Sequence, residues 1–145
     1  MIYKLITALK KRKKMKYNRT IIVDVAHTKN TAGKRSPDGK HREYLWSRSL
    51  MAKVIDKLED MGVPVIYSYD PDLVDDNLTR RKTNMNNIMG PAFVFSLHNN
   101  AAGMGDKWYN ARGASIWTTK GPTRSDEFAT IIFNQLLQDF PDIKD

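Results

Sequence analysis

Residues 21–43 read IIVDVAHTKNTAGKRSPDGKHRE and contain a predicted strand, a long polar loop and the start of a predicted helix. The first five residues are apolar and β-branched apart from Asp24, which predicts a buried strand that delivers His27 at its carboxyl end. The loop that follows is rich in Gly, Ser, Pro and Asp and runs as far as Glu43. Loops of this length inside compact domains are more often functional than not, and Glu43 can approach His27 if this loop folds back. The alternative is a solvated surface loop.

A second predicted strand at residues 92–97, AFVFSL, also ends at a histidine, His98. Ligands collect at the carboxyl ends of strands in open α/β sheets, so His27 and His98 are expected at one edge of the sheet. Glu43 completes a set of two histidines and one carboxylate, which zinc uses in catalytic sites while its fourth position stays open. The sequence therefore predicts a zinc site made of His27, Glu43 and His98.

Other interpretations of these polar residues stay open. His41 is a rival ligand two residues before Glu43, and Asp38 is a rival carboxylate. A histidine at a strand end is also often a hydrogen-bonded structural residue that binds no metal. Because the chain contains no cysteine, disulfides and thiolate ligands are excluded. Asp24, together with Asn99 or Asn100, is a candidate for orienting the ligands through hydrogen bonds.

Helical and strand patterns alternate along the rest of the chain. We expect a helix at 43–61, a strand at 63–69, an acidic loop at 70–76, a helix at 78–89, a strand at 114–119 and a final helix capped by Ser125. This alternation predicts an α/β fold, a single three-layer domain with a mostly parallel or mixed sheet and helices on both faces.

Apolar residues recur at helical spacing in the first and last of these helices. The first stripe consists of Met51, Val54, Ile55, Leu58 and Met61, and the last helix is expected to bury Phe128, Ile131, Ile132 and Leu136. The strand at 92–97 carries no charge, as expected for a strand that is covered on both faces.

The net charge of +8 is concentrated in residues 1–19, which carry eight basic side chains and no acidic one. The remaining chain carries 16 basic and 16 acidic groups, so we expect a formally neutral body that does not bind nucleic acid.

The basic leader has three interpretations. Apolar residues at helical spacing favour a short amphipathic helix with weak contact to an anionic surface, and charge runs are also common in solvated tails. Lys and Arg codons can be entirely purine, so the basic run before Met15 is alternatively a translated ribosome-binding site, with Met15 rather than Met1 as the true start. The basic cluster follows the apolar run, an order that is wrong for a secretory signal, so we expect accumulation in the cytoplasm.

Four blocks of sequence together resemble a known enzyme family. In order they read IIVDVAH, GKRSPDGKHRE, FVFSLHNNAAG and RGASIWTT. The combination resembles the zinc-dependent N-acetylmuramoyl-L-alanine amidases of the kind found in bacterial cell-separation enzymes and phage endolysins, and the likeness spans Thr20 to about Phe140. The organisation this implies is the leader at 1–19 followed by an amidase-like catalytic domain at 20–145.

The resemblance implies zinc as the cofactor, peptidoglycan muropeptides as the substrate and release from the cytoplasm to the cell wall. By motif, the family's zinc ligands fall on His27, Glu43 and His98. Arg81 resembles the family's arginine in the helix before the second histidine, and Asn100 ends the S-x-H-x-N block. Both are expected to bind substrate. The implied reaction is hydrolysis of the amide between the lactyl group of N-acetylmuramic acid and L-alanine.

Two departures from the family pattern bear on activity. Ala26 and Thr28 stand where the family usually has glycines, so we expect the turn at His27 to use ordinary backbone angles. The family's last strand, which bears a catalytic glutamate, has no counterpart before Asp145, so we expect an incomplete domain and assign no catalytic residue. The alternative function is then a catalytically inactive zinc-binding or wall-binding remnant. A nucleic-acid or membrane-surface protein is a third interpretation, and it depends on residues 1–19 alone.

Overall fold

A computed structural model of the chain describes residues 17–70, 77–103 and 106–143. The predictions for residues 1–16, and for the acidic loop beyond Asp70, lie outside these ranges. The chain divides into two units between Asn99 and Asn100, and each unit is described by itself.

Helices and strands alternate in the first unit. They are β1 (Thr20–Val25), α1 (Glu43–Asp60), β2 (Val65–Tyr67), α2 (Leu78–Asn86) and β3 (Ala92–Leu97). The strands form a parallel sheet in the order β2-β1-β3, in which Val23 is level with Tyr67 and Phe95. Parallel strands end at the same edge of a sheet, so the residues that follow β1 and β3 lie side by side. The predicted α/β class and the strands at both histidines are confirmed.

The main apolar cluster of the first unit lies between β1 and α1. Val23 and Val25 of β1 pack with Met51 and Ile55 of α1 and with Tyr69 after β2, and all five are at most 6% exposed. Fully burying one such aliphatic side chain stabilises the fold by about 1.5–3 kcal/mol. This cluster therefore fixes α1 on one face of the sheet.

Several helices and strands end at other residues than predicted, and some of their side chains are more exposed than predicted. Met61 is 58% exposed rather than part of the buried stripe, because α1 ends at Asp60 and Gly62 turns the chain at a φ of 79°. β2 is only three residues long, and α2 ends at Asn86. Val94 is 54% exposed, so the expected cover on both faces of β3 is not found. β3 lies at the sheet edge, where fewer neighbours cover a side chain.

A buried ion pair occupies the other face of the sheet, because alternate residues of a strand point to opposite faces. The Asp24 carboxylate accepts hydrogen bonds from Ser68 at 2.5 Å, Ser96 at 2.7 Å and Arg81 at 2.9 Å. Arg81 also donates to the carbonyl oxygen of Val25. Arg81 belongs to α2, so this ion pair joins α2 to β1. Cover of both faces of the sheet by helices stays a prediction.

The second unit contains α3 (Arg124–Asp139), which begins differently from the prediction. Thr123, not Ser125, is the N-cap, and Thr123 N–H donates to Asp126 Oδ2 at 2.6 Å. The Thr123 side chain accepts from the backbone N–H of Asp126, which completes a capping box. A capping box needs an acid three residues after the hydroxyl residue, and Thr123 has Asp126 there whereas Ser125 has Phe128. None of the described helices is both long and apolar enough to cross a membrane.

Two further predictions are wrong in this unit. Residues 114–119 form no strand, and Ser115 Oγ instead accepts from Asn100 and Trp117. A β-branched and aromatic composition shows that a segment tolerates extended backbone, but a strand also needs a partner to pair with. No described residue of α3 is fully buried. Phe128, Ile132 and Leu136 are partly buried, and Ile131 is 67% exposed, so the prediction is wrong for Ile131.

Arg81→Met is expected to lower the free energy of unfolding by about 3 kcal/mol, because it leaves the buried Asp24 carboxylate without its positive partner. The two residues are only 5% and 8% exposed, so solvent screens their interaction weakly. Lys82→Met makes the same change at an exposed neighbour on α2 and should cost less than about 0.5 kcal/mol. Urea denaturation in the presence of a chelator measures both values. Equal losses would contradict the role assigned to the ion pair.

Candidate metal centre

His27, Glu43 and His98 converge at the carboxyl edge of the sheet. His27 Nε2 lies 3.4 Å from Glu43 Oε2, and His98 Nδ1 lies 3.4 Å from Glu43 Oε1. One ligand atom from each residue lies within 4.8 Å of the other two. A tetrahedral zinc ion with bonds of ~2.0–2.1 Å separates its ligand atoms by about 3.4 Å, so this donor set fits zinc. The structure thus brings the three predicted ligands together, and their binding of metal stays a prediction.

The loop at 28–42 places Glu43 by folding back on itself. Ser36 N–H donates to the His41 carbonyl oxygen at 2.9 Å, and Glu43 N–H donates to the Lys34 carbonyl oxygen at 3.2 Å. These bonds draw the two ends of the loop together as in a short hairpin. The first residue of α1 therefore faces the end of β1, as the length of the loop predicts.

Glu43 is held in a buried position by the backbone that follows β3. Its carboxylate is 8% exposed, and its Oε1 accepts from Asn99 N–H at 2.8 Å. The Asn99 side chain in turn has its Oδ1 3.0 Å from His41 Nε2. Asn99 therefore orients the candidate ligand Glu43 through its backbone N–H. Its side chain, for which the sequence suggested this role, contacts His41 instead.

The turn after β1 is made by His27 itself. Its φ is 51°, in the left-handed region that residues with a side chain seldom adopt, so the expectation of ordinary backbone angles is wrong. Without a glycine on either side, the ligand residue takes the strained position. Thr28 N–H donates to Thr31 Oγ1 at 3.1 Å, and Thr31 N–H donates to the Thr28 carbonyl oxygen at 3.2 Å, which steadies the turn.

Burial lowers the pKa of His27 below its usual value. The positive charges of Lys34 and Arg81 act in the same direction, and the negative charge of Glu43 opposes them. A lowered pKa favours the neutral imidazole, which is the form that binds a metal ion.

The two rival ligands lie outside the group of three. Asp38 accepts from the Ser36 hydroxyl at 2.5 Å and from Lys40 N–H at 3.1 Å, and these bonds lower the pKa of its carboxyl group. Its carboxylate therefore closes the tip of the loop. His41 is turned toward Asn99, and its ring lies 6.2 Å from the ring of Trp46.

A cleft of about 550 Å³ opens beside the candidate ligands. His27, His98 and Arg81 all line it. Asn100 belongs to the second unit, where its Nδ2 donates to Ser115 Oγ at 2.9 Å. The assignment of Arg81 and Asn100 to substrate binding stays a prediction.

Sequence reasoning missed two hydroxyl groups that support the site. Ser68 and Ser96 both donate to Asp24, which lies three residues before His27. Ser96 carried a signal, since it is a small polar residue inside an otherwise apolar strand and two residues before His98. A hydroxyl in such a position needs a buried acceptor.

His98→Ala is expected to remove most of the bound zinc, because His27 and Glu43 alone form an incomplete ligand set. Glu43→Gln should weaken binding as well, because a neutral amide is a poorer ligand. His41→Ala should bind as much zinc as the unchanged protein. Elemental analysis after dialysis measures the stoichiometry. Unchanged zinc in His98→Ala would instead assign the third ligand to His41 or Asp38.

In metal-free protein, His27→Gly should be more stable than His27→Ala by about 1 kcal/mol, because a positive φ penalises the alanine side chain. The matched pair Lys53→Gly and Lys53→Ala, on the exposed side of α1, should show the opposite order by a similar amount. Urea denaturation with a chelator present compares all four. Greater stability of His27→Ala would rule out the left-handed turn.

Comparison with known proteins points to one enzyme family. A family model described as N-acetylmuramoyl-L-alanine amidase matches residues 21–143. No curated protein and no solved structure matches the chain. The matched range contains all three candidate ligands.

Proposed function

Because the chain belongs to the N-acetylmuramoyl-L-alanine amidase family, we propose that it is a zinc hydrolase that cleaves the bond between N-acetylmuramic acid and L-alanine in peptidoglycan. The observation that carries the zinc dependence is the convergence of His27, Glu43 and His98 within 4.8 Å at the sheet edge. Family membership supports the amidase reaction, and the donor set supports the metal.

The three ligands are suited to hold one divalent ion. Glu43 supplies a negative charge that partly neutralises the ion, and the Asn99 N–H keeps its carboxylate oriented. Burial lowers the pKa of His27, which favours the neutral imidazole that a metal ion needs. Zinc, when bound, supplies a Lewis acid and lowers the pKa of a water molecule toward about 7.

The cleft beside His27 and His98 provides room for the scissile amide. In the hydrolysis, the water oxygen bonds to the lactyl carbonyl carbon, the C–N bond breaks, and the L-alanine nitrogen leaves with a proton as a free amine. We propose that Arg81 lies next to the substrate, since it lines this cleft. Asn100 is proposed as a second substrate contact from its position in the S-x-H-x-N block.

Purified protein is expected to release free peptide stems from peptidoglycan when zinc is present and to stop when a chelator is added. His98→Ala should abolish release, whereas Lys82→Met should release stems at the rate of the unchanged protein. Mass spectrometry of the soluble products identifies the bond that is cut, since a muramoyl amidase leaves L-alanine at the amino end of each stem.

Sedimentation with peptidoglycan separates this function from the alternative. Binding of the zinc-loaded protein to the pelleted wall without any release would replace the hydrolase with a zinc-dependent wall-binding module. Release that persists after complete zinc removal would contradict the proposed metal dependence.

A further inference from the structure

A second cavity, of about 270 Å³, lies within the loop that joins β1 to α1. Four basic residues line it, namely Lys29, Lys34, Arg35 and Arg42. The rest of its lining is neutral, so no acidic residue among those described lines this cavity. A cavity surrounded by positive charge of this kind attracts an anion.

Part of the hydrogen-bonding capacity of the basic residues around the cavity is not satisfied by the described residues. Arg42 donates through NH2 to the Lys29 carbonyl oxygen at 2.8 Å and stacks over Tyr44 at 5.3 Å, yet its Nε has no acceptor among the described residues. The loop's acidic residue, Asp38, already accepts from Ser36 and Lys40. Its carboxylate is therefore occupied at the loop tip and is not part of the cavity lining.

The basic cavity adjoins the cleft at the candidate metal centre. Thr31 lines both cavities, and its hydroxyl lies 3.1 Å from that of Thr28 at the turn after His27. A ligand that occupies the cleft can thus extend an anionic group past Thr31.

We propose that this basic cavity binds a carboxylate of the peptide stem and so selects substrates whose stem is negatively charged. The inference rests on the proposed function. The glycan of peptidoglycan consists of neutral N-acetylated sugars once the lactyl group forms an amide, so the substrate's carboxylates belong to the stem. The first of them follow L-alanine, and two residues of extended chain span about 7 Å, a suitable distance for a neighbouring cavity.

Hydrolysis of two matched substrates tests the proposal with the full zinc-loaded chain. The substrates are N-acetylmuramoyl-L-alanyl-D-glutamate and its diamide, which differ only in charge. We expect kcat/KM to be about tenfold higher for the diacid, through a lower KM, and the preference to fall as salt rises. Lys34→Gln with Arg35→Gln should bring the ratio near one, and Lys34→Gln alone should reduce it about threefold.

The matched control is Lys53→Gln with Lys57→Gln, which removes the same charge from exposed positions on α1 and should keep the tenfold preference. Circular dichroism and zinc stoichiometry check that each variant folds. Equal rates on both substrates in the unchanged protein, or an equal loss of preference in the control, would overturn the carboxylate assignment.

A binding measurement separates this inference from the hydrolase function. L-Alanyl-D-glutamate, its diamide and inorganic phosphate are each titrated into the zinc-loaded protein by calorimetry, since none of them contains the scissile bond. Binding of the dipeptide alone, without hydrolysis of either substrate, would support the cavity and overturn the hydrolase. If phosphate binds as tightly as the dipeptide, the cavity is a general anion site and the proposal that it selects a stem carboxylate is overturned. Hydrolysis without selective dipeptide binding would overturn the cavity and keep the enzyme.

Discussion

The buried carboxylate of Asp24 connects all three strands at the edge where the candidate ligands emerge. It lies in β1 and accepts from Ser96 in β3 and Ser68 after β2, while Arg81 of α2 neutralises its charge. A buried carboxylate that lost these partners would cost several kcal/mol, so the fold is constrained to keep the donors in place. The backbone positions from which His27 and His98 project therefore depend on one side chain that is not among the three candidate ligands.

Much of the candidate site could be predicted from the sequence because its residues follow local patterns that also determine the sheet. An apolar strand that ends at His27, and another that ends at His98, come to one edge whenever the strands are parallel. The position of Glu43 required one further inference, that the long loop folds back, and the Glu43 N–H bond to Lys34 shows that it does.

The wrong predictions concern features that depend on residues outside the local pattern, such as a neighbouring strand or a capping acid. Residues 114–119 have strand composition but no ladder partner, and the helix cap moved from Ser125 to Thr123 because only Thr123 has an acid three residues later. The positive φ of His27 had no signal, since the residue types around it favour ordinary angles. The basic cavity had a signal in the sequence, because the loop at 28–42 carries five basic residues and one acidic residue, but the even balance of charge over the whole body concealed it.

The three candidate ligands come from parts of the chain that are far apart in sequence, and the chain has no cysteine. A metal ion held by them joins the end of β1, the start of α1 and the end of β3, and so acts as a cross-link that a reducing environment does not break. The ion binds the folded chain and not the unfolded one, so its binding free energy adds to the stability of the folded state and makes global opening rarer. Metal loading would then govern how long the molecule survives proteases, independently of whether it is turning over substrate.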